Sequence, residues 1–214
     1  MTEDDEKRTA LVLSQGDEEV TAAVVHALER DGWRVTRVDG DVAAITDPGL
    51  TIHGVVYIPG LLSSGGYPQK VEPAVSLLEL VDLLRPRLAD RHQGGSRVVA
   101  VGSRDWLGWP SRPLAAAQSA ALVAAVRSLA LAHGQAGVTV NAVIGLLVDA
   151  AERRDIGPAH GTHLYEPVPL TGEPVEPDDI AAAVAFFLDD RSGYITGQIL
   201  HCCGGASLLS SLSA

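Results

Sequence analysis

The sequence predicts an α/β protein, a parallel sheet with helices on both faces. Three observations predict it. Short apolar runs alternate with longer stretches of helical period along the chain. The runs are continuous, as in strands buried on both faces, where a half-exposed strand alternates. The 214 residues are 46% apolar and only 4% aromatic, enough for one core of Ala, Val and Leu.

The elements follow in order. Residues 10–13 (ALVL) read as a buried strand, and a helical pattern runs from 19 to 30, stopped by Asp31-Gly32. "WRVTRV" is a second strand and "HGVVYIPG" a third, closed by Pro59-Gly60. Leucines at helical spacing make residues 71–89 a helix, and "SRVVAVGS" is the next strand. "PLAAAQSAALVAAVRSLALAHGQAG" is a long helix, followed by the strand "VTVNAVIGLLV". Residues 150–176 are polar and proline-rich, and read as a loop. "EPDDIAAAVAFFLDD" is a capped helix and "TGQILHC" the last strand. The domain spans 10–208, between an acidic, disordered stretch at 1–9 and a flexible tail at 209–214.

Charge and composition exclude several functions. A net charge of −11 without a basic patch argues against nucleic acid and anionic membranes. No apolar run reaches the roughly 18 residues of a spanning helix. "MTEDDEKR" is too acidic for a signal peptide. Cys202 and Cys203 are adjacent and the only cysteines, which suits a reducing cytoplasm and small buried packing.

"GVTVNAVIGLLVDA" and "EPDDIAAAVAFFLDDRSGYITGQILHCCGG" resemble the C-terminal half of the short-chain dehydrogenase/reductase family, and "AAAQSAALVAAVRSLALAHGQAG" is similar to its catalytic helix. The resemblance covers residues 10–207. It implies a Rossmann-like sheet, a nicotinamide cofactor, and dimers or tetramers built on two helices.

The family's chemistry does not carry over. Its Tyr-x-x-x-Lys pair, in which lysine lowers the tyrosine pKa for proton exchange, falls on Ala115 and Ser119. The only lysines, Lys7 and Lys70, do not follow a tyrosine by four. Ser103 matches the active-site serine. The Asn-Asn-Ala-Gly motif is replaced by Tyr57-Ile58-Pro59-Gly60, and the one asparagine, Asn141, lies in a strand.

The cofactor loop is altered too. In the family, glycines let backbone amides approach a pyrophosphate. Here Gly16 remains, followed by Asp17, Glu18 and Glu19, which either cap the helix or supply the loop's own anions. Both readings exclude an ordinary dinucleotide. Only 13 residues separate Val38 from Ile52, so the third strand and its crossover helix are deleted or reduced. Asp39 stands at the ribose position but reads more simply as a turn residue. Gly145-Leu146 replaces the Pro-Gly of the nicotinamide pocket. No cofactor and no metal are expected.

What remains points to association. The long helix is apolar nearly all round, which predicts burial all round. Leu114, Ala117, Ala121, Leu122, Ala125 and Leu129, with Leu77, Leu80 and Leu84 of the preceding helix, are the expected subunit interface. "SRDWLGWP" puts Ser103, Arg104, Asp105, Trp106 and Trp109 at the active-site mouth, as a ligand floor or a partner contact. "HGTHLYEP" offers His160, His163 and Tyr165, more simply a solvated loop than a metal site. The sequence thus predicts a non-catalytic subunit that pairs with an active short-chain dehydrogenase/reductase, or with itself. The alternative is a cofactor-independent dehydratase, cyclase or isomerase using Ser103, Asp105 or His163. An atypical NAD(P)-dependent oxidoreductase comes third.

Overall fold

The computed structural model describes residues 8–39, 49–62, 72–146, 164–165 and 167–209. Six strands form one parallel sheet: β1 (Thr9–Ser14), β2 (Arg34–Asp39), β3 (Gly54–Ile58), β4 (Ser96–Ser103), β5 (Val138–Gly145) and β6 (Ile199–Cys202). Their order is β2-β1-β3-β4-β5-β6. Among the described residues no strand lies outside β2, consistent with the short connection that predicts a lost strand.

Four helices cover the sheet in pairs. α1 (Glu18–Arg30) buries Val20, Thr21, Val24, Ala27 and Leu28, and α4 (Pro177–Leu188) buries Ile180, Ala181, Val184, Phe187 and Leu188. The spacing i, i+1, i+4, i+7, i+8 is the same in both and makes a single apolar stripe. These two stripes close one core with Ala10, Val12, Val56, Ile58, Val99 and Val101. α2 (Pro73–Leu84) and α3 (Pro113–His133) close the other, over Leu11, Val55, Tyr57, Val98, Val140 and Ile144. Successive strand residues therefore feed opposite cores, which is why the runs are continuously apolar.

Several boundaries shift for local reasons. β1 begins at Thr9, and the chain is already fixed at Arg8, whose guanidinium lies 4.3 Å from the Trp33 ring centre and pairs with Asp190. Arg8 and Thr9, expected within a disordered stretch, are therefore part of the fold. Residues 1–7, like 210–214 at the other end, lie outside the described ones, and Ala206–Leu209 form a 3₁₀ turn. The helix expected at 71–89 ends at Leu84 and tightens into a 3₁₀ turn over Arg85–Arg87. Pro86 has no amide hydrogen to continue the α ladder. α4 starts on a capping box between Glu176 and Asp179.

One expectation fails. Residues 113–136 form a helix long and apolar enough to cross a membrane by length and composition, an 18-residue window of it reaching a mean hydropathy of 1.6. The inner side of this helix, from Ala115 through Leu122 and Val126 to Leu129, is buried in the protein's own core.

Candidate functional site

In an open parallel sheet, ligands bind at the C-terminal ends of the strands. At that end the described loops after β1 and β3 meet each other. After β1, the Gln15 amide donates to Ile58 O (2.9 Å), and the Tyr57 hydroxyl donates to Gln15 Oε1 (3.0 Å). A Cβ on Gly16 would stand 3.1 Å from Gly60 Cα, and one on Gly60 would stand 3.0 Å from Gln15 O. The two loops therefore meet backbone to backbone, and Gly60 does so at φ +75°, a conformation that favours glycine. Asp17 is also left-handed (φ 54°) and makes no side-chain cap on α1. Its carboxylate accepts from the Leu62 amide at 3.0 Å. Glu18 pairs with Arg37 at 2.6 Å. Two of the three acids thus have specific partners outside α1, and Asp17 is a clasp between loops where helix capping was expected.

These residues do not fit a dinucleotide. A pyrophosphate placed at the start of α1 meets the Asp17 carboxylate and the first-turn acids Glu18 and Glu19. At the end of β5, a Cβ on Gly145 would lie 2.7 Å from Ile180 Cδ1 and 3.1 Å from Leu62 Cδ2, so α4 and the loop after β3 pack tightly against this residue. Asp39 is the last residue of β2.

At the end of β4, Ser103 is buried and its Oγ accepts from the Asp105 amide at 3.2 Å, capping a 3₁₀ turn. Asp105 is only 2% exposed and receives two hydrogen bonds from Arg112, Nε at 2.8 Å and Nη2 at 3.0 Å. Buried Arg104 and part-buried Arg112 both lie against the Trp109 ring, at 5.3 and 5.9 Å from its centre. Trp106 stacks on His201, and its Nε1–H donates to His201 Nε2 at 3.0 Å. Burial, then the Arg104 charge, lowers the His201 pKa. The imidazole is therefore neutral, with Nε2 as acceptor.

Among the described residues no proton relay assembles there. Ala115 and Ser119 both face the core, and the Ser119 hydroxyl is buried without a hydrogen-bond partner. Burial pushes the Tyr57 phenol up to about 12, so it holds its proton at neutral pH. Cys202 is raised to about 11, chiefly by burial, which keeps it a thiol; Cys203 is buried, as expected of small packing residues. Asp105, a cleft candidate in the alternative reading, is committed to Arg112. Of the loop candidates, His160 and His163 lie outside the described residues, and Tyr165 is exposed. Asn141 is structural: its Nδ2 donates to Ile195 O and its Oδ1 accepts from the Gln198 amide, pinning the turn before β6.

Sequence reasoning missed Arg112, His201 and Leu62 as parts of this end. Trp106 and His201 stand 95 positions apart, and Asp17 and Leu62 stand 45 apart. No local pattern pairs such residues.

The expected interface divides in two. Leu122, Ala125, Leu129, Leu77, Leu80 and Leu84 are buried in the protein's own core, because α2 packs on α3 within one chain. That corrects their assignment as contact residues. Leu114, Ala117 and Ala121 do face outward, joined by Ala124 and by Leu131, which is 87% exposed. Beside them α2 exposes Val75, Leu78 and Leu83.

Comparison with known proteins adds relatives. The sequence profile of a family described as enoyl-(acyl carrier protein) reductase matches residues 73–207. The chain is 31% identical over 222 residues to (2S)-[(R)-hydroxy(phenyl)methyl]succinyl-CoA dehydrogenase subunit BbsD of Thauera aromatica, covering 96% of this chain and 89% of the relative. It is 40% identical over 128 residues to subunit BbsC of the same-named dehydrogenase, covering 58% of this chain and 48% of that one. A short-chain dehydrogenase family protein from Francisella tularensis has the same fold, with a TM-score of 0.70 at 18% identity over 94% of this chain and 99% of that one.

Proposed function

The chain belongs to the short-chain dehydrogenase/reductase family, and within it we propose that it is a non-catalytic subunit of a hetero-oligomeric dehydrogenase. The observation that carries this reading is the Asp105–Arg112 ion pair, buried where the family keeps its reacting groups, with Ala115 and Ser119 turned into the core beside it. A subunit that donates its own charges to this place has no donor left for a substrate carbonyl. The exposed apolar faces of α2 and α3 support association, since contiguous apolar surface of this kind marks a contact. The names of BbsD and BbsC, two subunits of one dehydrogenase, support a relative as the occupant of that face. The partner in this reading is a relative with an intact Tyr-x-x-x-Lys pair, and the complex is cytoplasmic.

Co-expression tests it. The chain is produced with Tyr-x-x-x-Lys-bearing relatives from its own genome, and the mass of each purified complex is measured. The expected result is a stable assembly containing both chains, with activity abolished by changes in the partner's tyrosine alone. A stable homodimer that ignores every such relative, or turnover by this chain alone, overturns the proposal.

A further inference from the structure

A cavity lies at the opposite end of the sheet, where β4 and β5 begin. It is half open and about 490 Å³ in volume. Arg97 and Thr139 stand at its base, directly paired across the two strands. Both are more than nine-tenths buried, at 6% and 7% exposure. Arg97 Nε and the Thr139 hydroxyl have no hydrogen-bond partner. Buried donors are nearly always satisfied, so two orphans on adjacent strands call for an acceptor.

The surrounding glycines make room for the guanidinium itself, which packs directly against their backbones. A Cβ on Gly193 would stand 2.9 Å from Arg97 Nη2, and one on Gly95 would stand 3.3 Å from Nη1. Gly95 is held at φ +75°, where a side chain would also meet Gly137 O at 2.5 Å. Arg91 brings a second guanidinium to the rim, with its Nη2 donating to Gln135 O at 3.2 Å. No acid lines the cavity. The nearest carboxylate to Arg97, Asp190, is 3.8 Å from Nη2 and is already bound by Arg8. In a chain of net charge −11, a recess with two arginines and no acid is out of keeping with the rest of the surface.

We infer that this cavity binds the phosphate group of a small molecule. Two guanidiniums match a dianion, and a guanidinium fork with a neighbouring hydroxyl suits phosphate oxygens. The volume beyond the phosphate takes the organic remainder. Burial lowers the Arg97 pKa, with Asp190 opposing it and Arg8 adding to it.

The test uses the isotope-labelled full chain, titrated with inorganic phosphate and, separately, with glycerol 3-phosphate while amide shifts are followed. Saturable shifts confined to Gly95, Gly137, Thr139 and their neighbours are expected. Tighter binding of the ester identifies a carried phosphate, and equal binding identifies free phosphate as the ligand. Arg91→Gln, on the rim, weakens binding roughly tenfold or more. Thr139→Val weakens it while leaving the unliganded melting temperature unchanged or raised, because the lost hydroxyl has no partner. Absence of saturable shifts with both probes overturns the inference. So do shifts elsewhere, or binding that neither substitution changes.

Discussion

Ala121 and Ala125 are one helical turn apart on α3 and straddle the edge of the core, Ala121 outside and Ala125 inside at 6% exposure. Glutamate at each position separates association from folding. At 125 the carboxylate enters the space shared with Leu122, Leu129 and the leucines of α2, with no cation among them. An unpaired buried charge costs about 3–5 kcal/mol, a large part of the 5–15 kcal/mol that holds a domain together. At 121 the isolated subunit keeps its carboxylate in water, and the change is within about 0.5 kcal/mol. In an assembly whose contact includes Ala121, the same carboxylate is desolvated, and about 3 kcal/mol corresponds to a hundredfold or greater weakening. Urea unfolding reads the first effect, and light scattering across a dilution series reads the second. Ala125→Glu should unfold at much lower urea. Ala121→Glu should unfold like the wild type yet dissociate at far higher protein concentration. Unchanged mass at every dilution for Ala121→Glu refutes this placing of the interface.

Three further outcomes are expected. Arg112→Leu, which strands the buried Asp105 carboxylate, should cost about 3 kcal/mol in urea unfolding, and the double change with Asp105→Leu should recover most of it. The folded-state His201 pKa lies below 6.5, so the unfolded state binds more protons as pH falls, and stability should drop below about pH 6.5. His201→Gln, which keeps an acceptor for Trp106, should flatten that part of the pH profile relative to wild type. Calorimetric titration with NADH or NADPH should give no binding in the micromolar range, and a micromolar dissociation constant for either contradicts the fit argued from Asp17.

The layered sheet was legible because its signals are periodic. Strands such as "SRVVAVGS" fill both cores, and their ends coincide with β4 as observed. That no strand lies beyond β2 among the described residues was legible from length, since 13 residues do not hold a strand and a crossover helix. Helix facing on α3 was not legible. Alanine and leucine stand on its inner and outer sides alike, so composition gave no angle, and three core residues of α3, with three of α2, were assigned to a contact. The role of Asp17 was hidden for another reason. An acid before a helix reads as a cap, but a left-handed backbone turns this one toward Leu62, and only tertiary structure contains that partner.

The end of β4 and the exposed face of α3 are mechanically connected. α3 begins at Pro113, directly after Arg112, and Arg112 is tied by two hydrogen bonds to Asp105 at the end of β4. The ion pair therefore fixes the N-terminal end of the helix that carries Leu114, Ala117 and Ala121. A rigid face loses less conformational freedom on binding than a mobile one, so fixing it strengthens association without adding a contact. A catalytic subunit cannot use this device, because its strand ends must stay open to substrate. In the non-catalytic subunit proposed above, the Asp105–Arg112 pair would stiffen the surface by which the chain would meet its partner. Loss of Arg112 should then weaken association by more than the stability change alone explains, while Ala121→Glu weakens association and leaves the isolated subunit's stability untouched.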